Sequence, residues 1–113
     1  MAKYRIRYSH DAIDDLDSIF DYISEDNRIA AAKLLSRLEG AILNLADNPR
    51  LGSVLPTNDL SLVAPGYRRI VVSPYLVFYR IGNDELFISR VLHSRQDWMQ
   101  LLTEWHNPKF EDE

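Results

Sequence analysis

The sequence predicts an α+β domain in which a helical hairpin packs on an antiparallel sheet, and three observations predict it. Residues 67–93 hold three runs rich in Val, Ile, Tyr and Phe, at Tyr67–Val72, Tyr75–Ile81 and Glu85–Leu92. Ser73-Pro74 and Gly82-Asn83-Asp84 part these runs, so they read as a three-stranded meander with turn-forming separators. Residues 11–45 carry two apolar stripes at helical spacing joined by a short link. Residues 3–8 alternate Tyr4, Ile6 and Tyr8 with Lys3, Arg5 and Arg7, the period of a strand with one buried face.

At 113 residues the chain makes one domain with one modest core, spanning residues 1–113. No apolar run approaches the ~20 residues of a membrane span, and the N-terminus MAKYRIRYSHD lacks the apolar core of a signal peptide. The expected location is cytoplasmic. The absence of cysteine excludes disulfides and thiolate chemistry. A net charge of −4 opposes direct DNA binding by the chain alone. That charge is uneven: residues 11–26 hold seven acids and no Lys or Arg, whereas the meander and its end carry Arg68, Arg69, Arg80, Arg90, His93 and Arg95.

In chain order, the opening strand reads as an edge strand whose charges discourage aggregation. Ser9 is placed to cap the first helix, with Asp11 complementing its positive end. Ala12, Leu16, Ile19, Phe20 and Ile23 form its buried stripe, and the aspartates read as a solvated face. Asp26 or Asn27 caps the second helix, whose stripe is Ala31, Leu35, Leu38, Ile42 and Leu45. Gly40 inside it costs up to ~1 kcal/mol against Ala, which predicts a close helix crossing there. Asn48-Pro49 ends the helix. Residues 49–66 form a long connection with one helical turn at 59–63, read either as a surface crossover or as a partner-binding loop. Trp98, Leu101, Leu102 and Trp105 predict a short C-terminal helix, and 107–113 a flexible tail. The central core should include Leu16, Ile19, Leu35, Leu38, Val77 and Ile88.

If Val72 pairs with Tyr75, then Arg69, Val71, Leu76, Phe78 and Arg80 share one face and Arg68, Ile70, Val72, Val77 and Tyr79 the other. A turn at Asn83-Asp84 would bring Phe87, Ser89, Val91 and His93 to the Arg69/Arg80 face. The face left by the hairpin, apolar with a basic rim, would then be a binding surface. No phosphate loop, dinucleotide fingerprint or zinc-protease motif is present. His10, His93 and His106 are not at ligand spacing, so no metal or cofactor is expected. His93 is a candidate general acid or base, weighed against a hydrogen-bonded strand-end histidine. The arginines suit oxyanions through their bidentate fork, weighed against pairing with the acidic helix or tail.

Four stretches in order, an opening strand followed by SHDAIDDLDSIFDYI, then LADNPRLG, GYRRIVVSPYLVFYRI and ISRVLHSRQD, resemble the RelE/ParE toxin superfamily, closer to ParE. The resemblance implies a β-α-α-β-β-β fold and the toxin half of a type II toxin–antitoxin pair. It implies a cognate antitoxin, a small DNA-binding protein whose acidic amphipathic tail wraps the toxin. ParE-like members are associated with inhibition of DNA gyrase, RelE-like members with ribosome-dependent mRNA cleavage. Arg69 and His93 sit where nuclease members place an arginine and a histidine. Leu76 and Ser94 stand where such members carry a basic residue and a catalytic Tyr. The set is incomplete, so the resemblance implies no confident catalytic residue. Gyrase is the expected target and the ribosome the alternative, with Arg69, Arg80, Arg90 and Arg95 as contacts to target or antitoxin.

Overall fold

A computed structural model of the chain describes residues 3–105 and Phe110. The elements are β1 (Arg5–Tyr8), α1 (His10–Ser24), α2 (Arg28–Leu45), β2 (Ser53–Val54), α3 (Leu60–Val63), β3 (Arg68–Val72), β4 (Tyr75–Ile81), β5 (Glu85–His93) and α4 (Trp98–Thr103). They form a mixed α+β fold around one five-stranded sheet, in the order β1-β5-β4-β3-β2, with β1 parallel to β5 and every other pair antiparallel. None of the helices among the described residues is long and apolar enough to cross a membrane.

The helix starts follow the sequence. Ser9 Oγ accepts from Ala12 N at 2.9 Å, and Asn27 Oδ1 accepts from Ala30 N at 3.0 Å. The hairpin lies on one sheet face, where Ala12, Leu34, Leu38, Ile42 and Leu45 meet Val72, Val77, Tyr79, Leu86, Ile88 and Val91. Of the expected core, Leu38, Val77 and Ile88 are fully buried, whereas Leu16 and Ile19 are half-buried at its edge. Leu35 is half-buried because it lines an open groove between α1 and α2, with Tyr8, Ile13, Leu16 and Leu43.

Gly40 does not mediate a close crossing. It is exposed, and a Cβ built there meets nothing within 4 Å. Gly40→Ala therefore costs no packing and removes backbone entropy from the unfolded chain. It should raise stability by about 0.5–1 kcal/mol, read as a higher midpoint in urea at unchanged slope.

The stretch Leu45–Gly52 matters through a buried phenol. Tyr79 is fully buried on β4, and its hydroxyl donates to Pro49 C=O at 2.7 Å while accepting from Gly52 N at 2.9 Å. A Cβ on Gly52 would stand 2.5 Å from that hydroxyl, so only glycine fits. Burial raises the Tyr79 pKa, opposed by the Gly52 hydrogen bond and the Arg68 charge.

The β3–β4 register matches the expected one, with Val72 opposite Tyr75 and Arg69 opposite Phe78. The β4–β5 register does not. Tyr79 pairs with Ile88 but Phe78 pairs with Arg90, which leaves Ser89 as an extra residue, a β-bulge. Phe87 stays on the Arg80 side as expected. Beyond the bulge the faces exchange: Val91 joins the hairpin-side core, and His93 lies opposite Tyr75 on that same side.

The second sheet face is not bare. Leu76, Phe78 and Leu92 pack there with Leu55, Leu62 and Leu102, flanked by Tyr67, Trp98, Leu101 and Trp105. Thus α3, the helical turn expected at 59–63, and α4 pack over it. The predicted flexible tail lies outside the described residues except at Phe110, which is buried against Phe87, ring to ring at 5.2 Å.

Candidate functional site: the basic face of the sheet

Arginines and aromatic rings interleave on the face away from the hairpin. Arg7 lies 5.8 Å from the Phe87 ring centre and 5.6 Å from that of Phe110. Arg80 lies 5.5 Å from Phe87 and 5.8 Å from Tyr67. Arg69 lies 5.3 Å from the Trp98 ring, which itself stacks on Phe78. The alternation follows from the pleat, which sets every second residue of each strand on this face, and each pair gains cation–π attraction.

The arginines differ in what they have already met. Arg90 grips Asp15 of α1 bidentately, Nε to Oδ2 at 2.8 Å and Nη2 to Oδ1 at 2.9 Å, and Asp15 also accepts from Val91 N at 2.9 Å. That hydrogen bonding raises the Arg90 pKa above its ordinary value against the opposing effect of burial. Arg5 and Arg7 reach Glu85 at 3.0 and 3.7 Å. Arg68, on the hairpin side, donates to Gly52 C=O. Arg95 is exposed beyond the end of β5. The buried Nε of Arg80 finds no acceptor among the described residues.

His93 and Arg69 are not brought together. His93 packs edge-on against Tyr75 at 5.2 Å, its Nδ1 accepts from Arg95 N at 3.0 Å, and its own backbone N–H donates to Gln96 Oε1. Arg69 faces the opposite side of the sheet, opposite Phe78. The solvated reading of α1 holds for Asp14, Asp17 and Asp21 but not for Asp15, nor for Asp11, which accepts from the Trp105 indole. Sequence reasoning missed Asp15. Its signal was position, three residues after Ala12 and four before Ile19, which sets it beside the buried stripe. Among the described residues no group of His, Asp and Glu could hold a metal ion.

The family model described as the ParE toxin of the type II toxin-antitoxin system, parDE, matches residues 6–98. A putative toxin, Y4kP, from Sinorhizobium fredii is 35% identical over 90% of this chain and its own whole length. Toxin ParE3 of Caulobacter vibrioides is 34% identical over 74% of this chain and 79% of its own. Toxin RelE2 of the same organism is 31% identical over 74% and 86%. Among solved structures, a chain of the chromosomal ParDE system from P. aeruginosa superposes with a TM-score of 0.65 at 21% identity, over 80% of this chain and 96% of its own, a likeness of fold. A chain of the RelBE2 toxin–antitoxin complex from Mycobacterium tuberculosis gives 0.56 at 27% identity, over 82% and 93%. A match across most of the chain, with relatives above 30% identity over 74% and 90% of it, places this protein in the ParE toxin family of type II toxin–antitoxin systems.

Proposed function

We propose that the chain arrests growth by binding DNA gyrase without cutting RNA, and that a cognate antitoxin with an acidic amphipathic tail neutralises it. The observation that carries this reading is the separation of Arg69 and His93 by the thickness of the sheet. RNA cleavage uses the 2′-hydroxyl as nucleophile, so it needs an acid–base group and a phosphate-stabilising cation beside one phosphodiester. Here the imidazole sits on the hairpin side with its Nδ1 engaged. Leu76 is buried and apolar, and Ser94 follows His93 in place of a Tyr. In this reading Arg69, Arg80 and Arg95 contact the target or antitoxin, while Arg90, whose guanidinium belongs to Asp15, holds the fold.

Induction of the chain should stop growth with filamentation and DNA damage, and the purified protein should inhibit gyrase supercoiling. His93→Ala should leave growth arrest intact, since a general acid or base is worth about 10²–10⁴-fold only where it acts. Arg69→Glu or Arg95→Glu should weaken arrest. Primer extension on mRNA is the deciding measurement: codon-phased cuts lost in His93→Ala, with gyrase unaffected, would put the chain among the ribosome-dependent nucleases instead.

A further inference from the structure

We propose that the groove between α1 and α2 docks a cationic amphipathic helix of a protein partner. The site lies on the hairpin, across the sheet from the basic face, and it stands whether or not gyrase is the target.

The first argument is shape. Leu16 and Leu35 lie half-buried along the groove, and Ile13 and Leu43 stand 36% and 64% exposed beside them. The groove holds about 390 Å³. The fold does not use this surface, because α2 already sends Leu34, Leu38, Ile42 and Leu45 into the core against the sheet. A single exposed leucine is ordinary, but four aliphatic side chains along one concave seam form a continuous patch of the kind that marks an interaction site. The seam runs about 12 Å from Leu35 to Leu43 at the rise of an α-helix. A seam between two helices of a hairpin accepts the apolar stripe of a third, through anchors one turn apart.

The second argument is charge, and it selects the partner. Asp17 of α1 and Glu39 of α2 line the same groove. Neither meets a Lys or Arg among the described residues, whereas Asp15, Asp47 and Glu85 each have a cation. Carboxylates that share a groove repel one another, and a cation entering beside them relieves the repulsion. The wider field has the same sign, since residues 11–26 hold seven acids and no Lys or Arg. Lys33 and Arg37 of α2 lie on another side of that helix, beside Ile29 and Ser36. An acidic amphipathic segment would suit the leucines but be repelled by the rim. A helix with Lys or Arg flanking its apolar stripe suits both, and the alkyl stems of those side chains add contact with Ile13 and Leu43.

The test titrates the full-length chain, labelled with nitrogen-15, with two synthetic helical peptides that share one leucine stripe. One carries Lys on its polar face and the other Glu. The Lys peptide should shift the backbone amides of residues 13–17 and 35–43 and leave those of β3 and β4 in place. The Glu peptide should bind about tenfold more weakly or worse. Leu43→Ala should bind the Lys peptide about tenfold more weakly, the loss expected when one leucine contact goes. Neutralising the rim, as Asp17→Asn with Glu39→Gln, should cost about tenfold, the scale of two partly exposed ion pairs. Asp14→Asn with Asp21→Asn changes the net charge equally on α1 outside the groove and should bind nearly as wild type. All these positions are exposed, so the variants keep the fold, and their urea midpoints verify it. Equal affinity for the two peptides, unchanged binding by Leu43→Ala, or equal loss in the two neutralised pairs would each overturn the proposal. A chain that sediments as a dimer without peptide, and as a monomer in Leu43→Ala, would also overturn it and make the occupant a second copy.

Discussion

Leu38→Ala should lower the unfolding free energy by about 2–5 kcal/mol, the range for a buried leucine truncated to alanine. Leu38 is 0% exposed at the middle of α2, in the one cluster that joins both helices to the sheet. Removing its isobutyl group loses transfer free energy and leaves a cavity that neighbours on three elements must collapse to fill. Those neighbours are poor at moving, because Val77 and Ile88 are held on central strands by ladders on both sides. A domain of this size has only about 5–15 kcal/mol to lose, so the variant should melt many degrees lower. Leu43→Ala is the control. Leu43 lies on the same helix but is 64% exposed, and its truncation should change stability by no more than about 0.5 kcal/mol. Equal melting of the two variants would show that α2 packs by another face.

The two periods explain why so much of this fold was legible. Helical spacing placed α1 and α2 and their caps. Proline and glycine placed the turns, and the Ser73-Pro74 hairpin then dictated which residues of β3 and β4 share a face. What stayed hidden was the departure from period. A strand reading carries a side forward by twos, so one extra residue exchanges every side chain beyond it. The slip is visible afterwards in β5: Leu86 and Ile88 face the hairpin, and the next residue to do so is Val91, three positions on. Ser89-Arg90, two polar residues in succession, mark the slip. The cost of missing it was largest for the site, because it moved His93 across the sheet from Arg69. The capping of the second face was hidden for a different reason. Leu55 and Leu62 lie in a segment whose proline and glycine content reads as loop, and only tertiary contact with Phe78 and Leu92 gives them a core to join. Phe110, a lone large apolar residue in a polar tail, was a weaker signal of the same kind.

Asp15→Ala should cost about 3 kcal/mol, nearly as much as a core truncation, although it removes a residue from an acidic helix that otherwise faces water. Past Ile88, β5 loses its neighbour β1, whose pairing ends at Tyr8. Ser9 N donates to Ile88 C=O and Ser9 Oγ to Ser89 C=O at 2.7 Å, so the start of α1 takes over the edge at the bulge. Asp15, two turns into α1, continues that edge by accepting from Val91 N and from both donors of Arg90. A carboxylate thus stands in for a strand. Side chains of both partners are more than four-fifths buried, so removing the acid leaves a cation and an amide without acceptors in a place water reaches poorly. Each hydrogen bond to a charged group is worth about 1.5–3 kcal/mol, and orphaning one member of a buried pair is worse than replacing both. The pair can therefore be isolated by a double-mutant cycle. Asp15→Ala and Arg90→Ala should each destabilise, and the double variant should lose less than their sum, by a coupling of about 0.5–3 kcal/mol. Hydrogen exchange gives an independent reading: the Val91 amide should lose protection in Asp15→Ala, while amides of β4 keep theirs at matched global stability. Strict additivity with Val91 still protected would mean that the bulge holds itself and that Asp15 only decorates it.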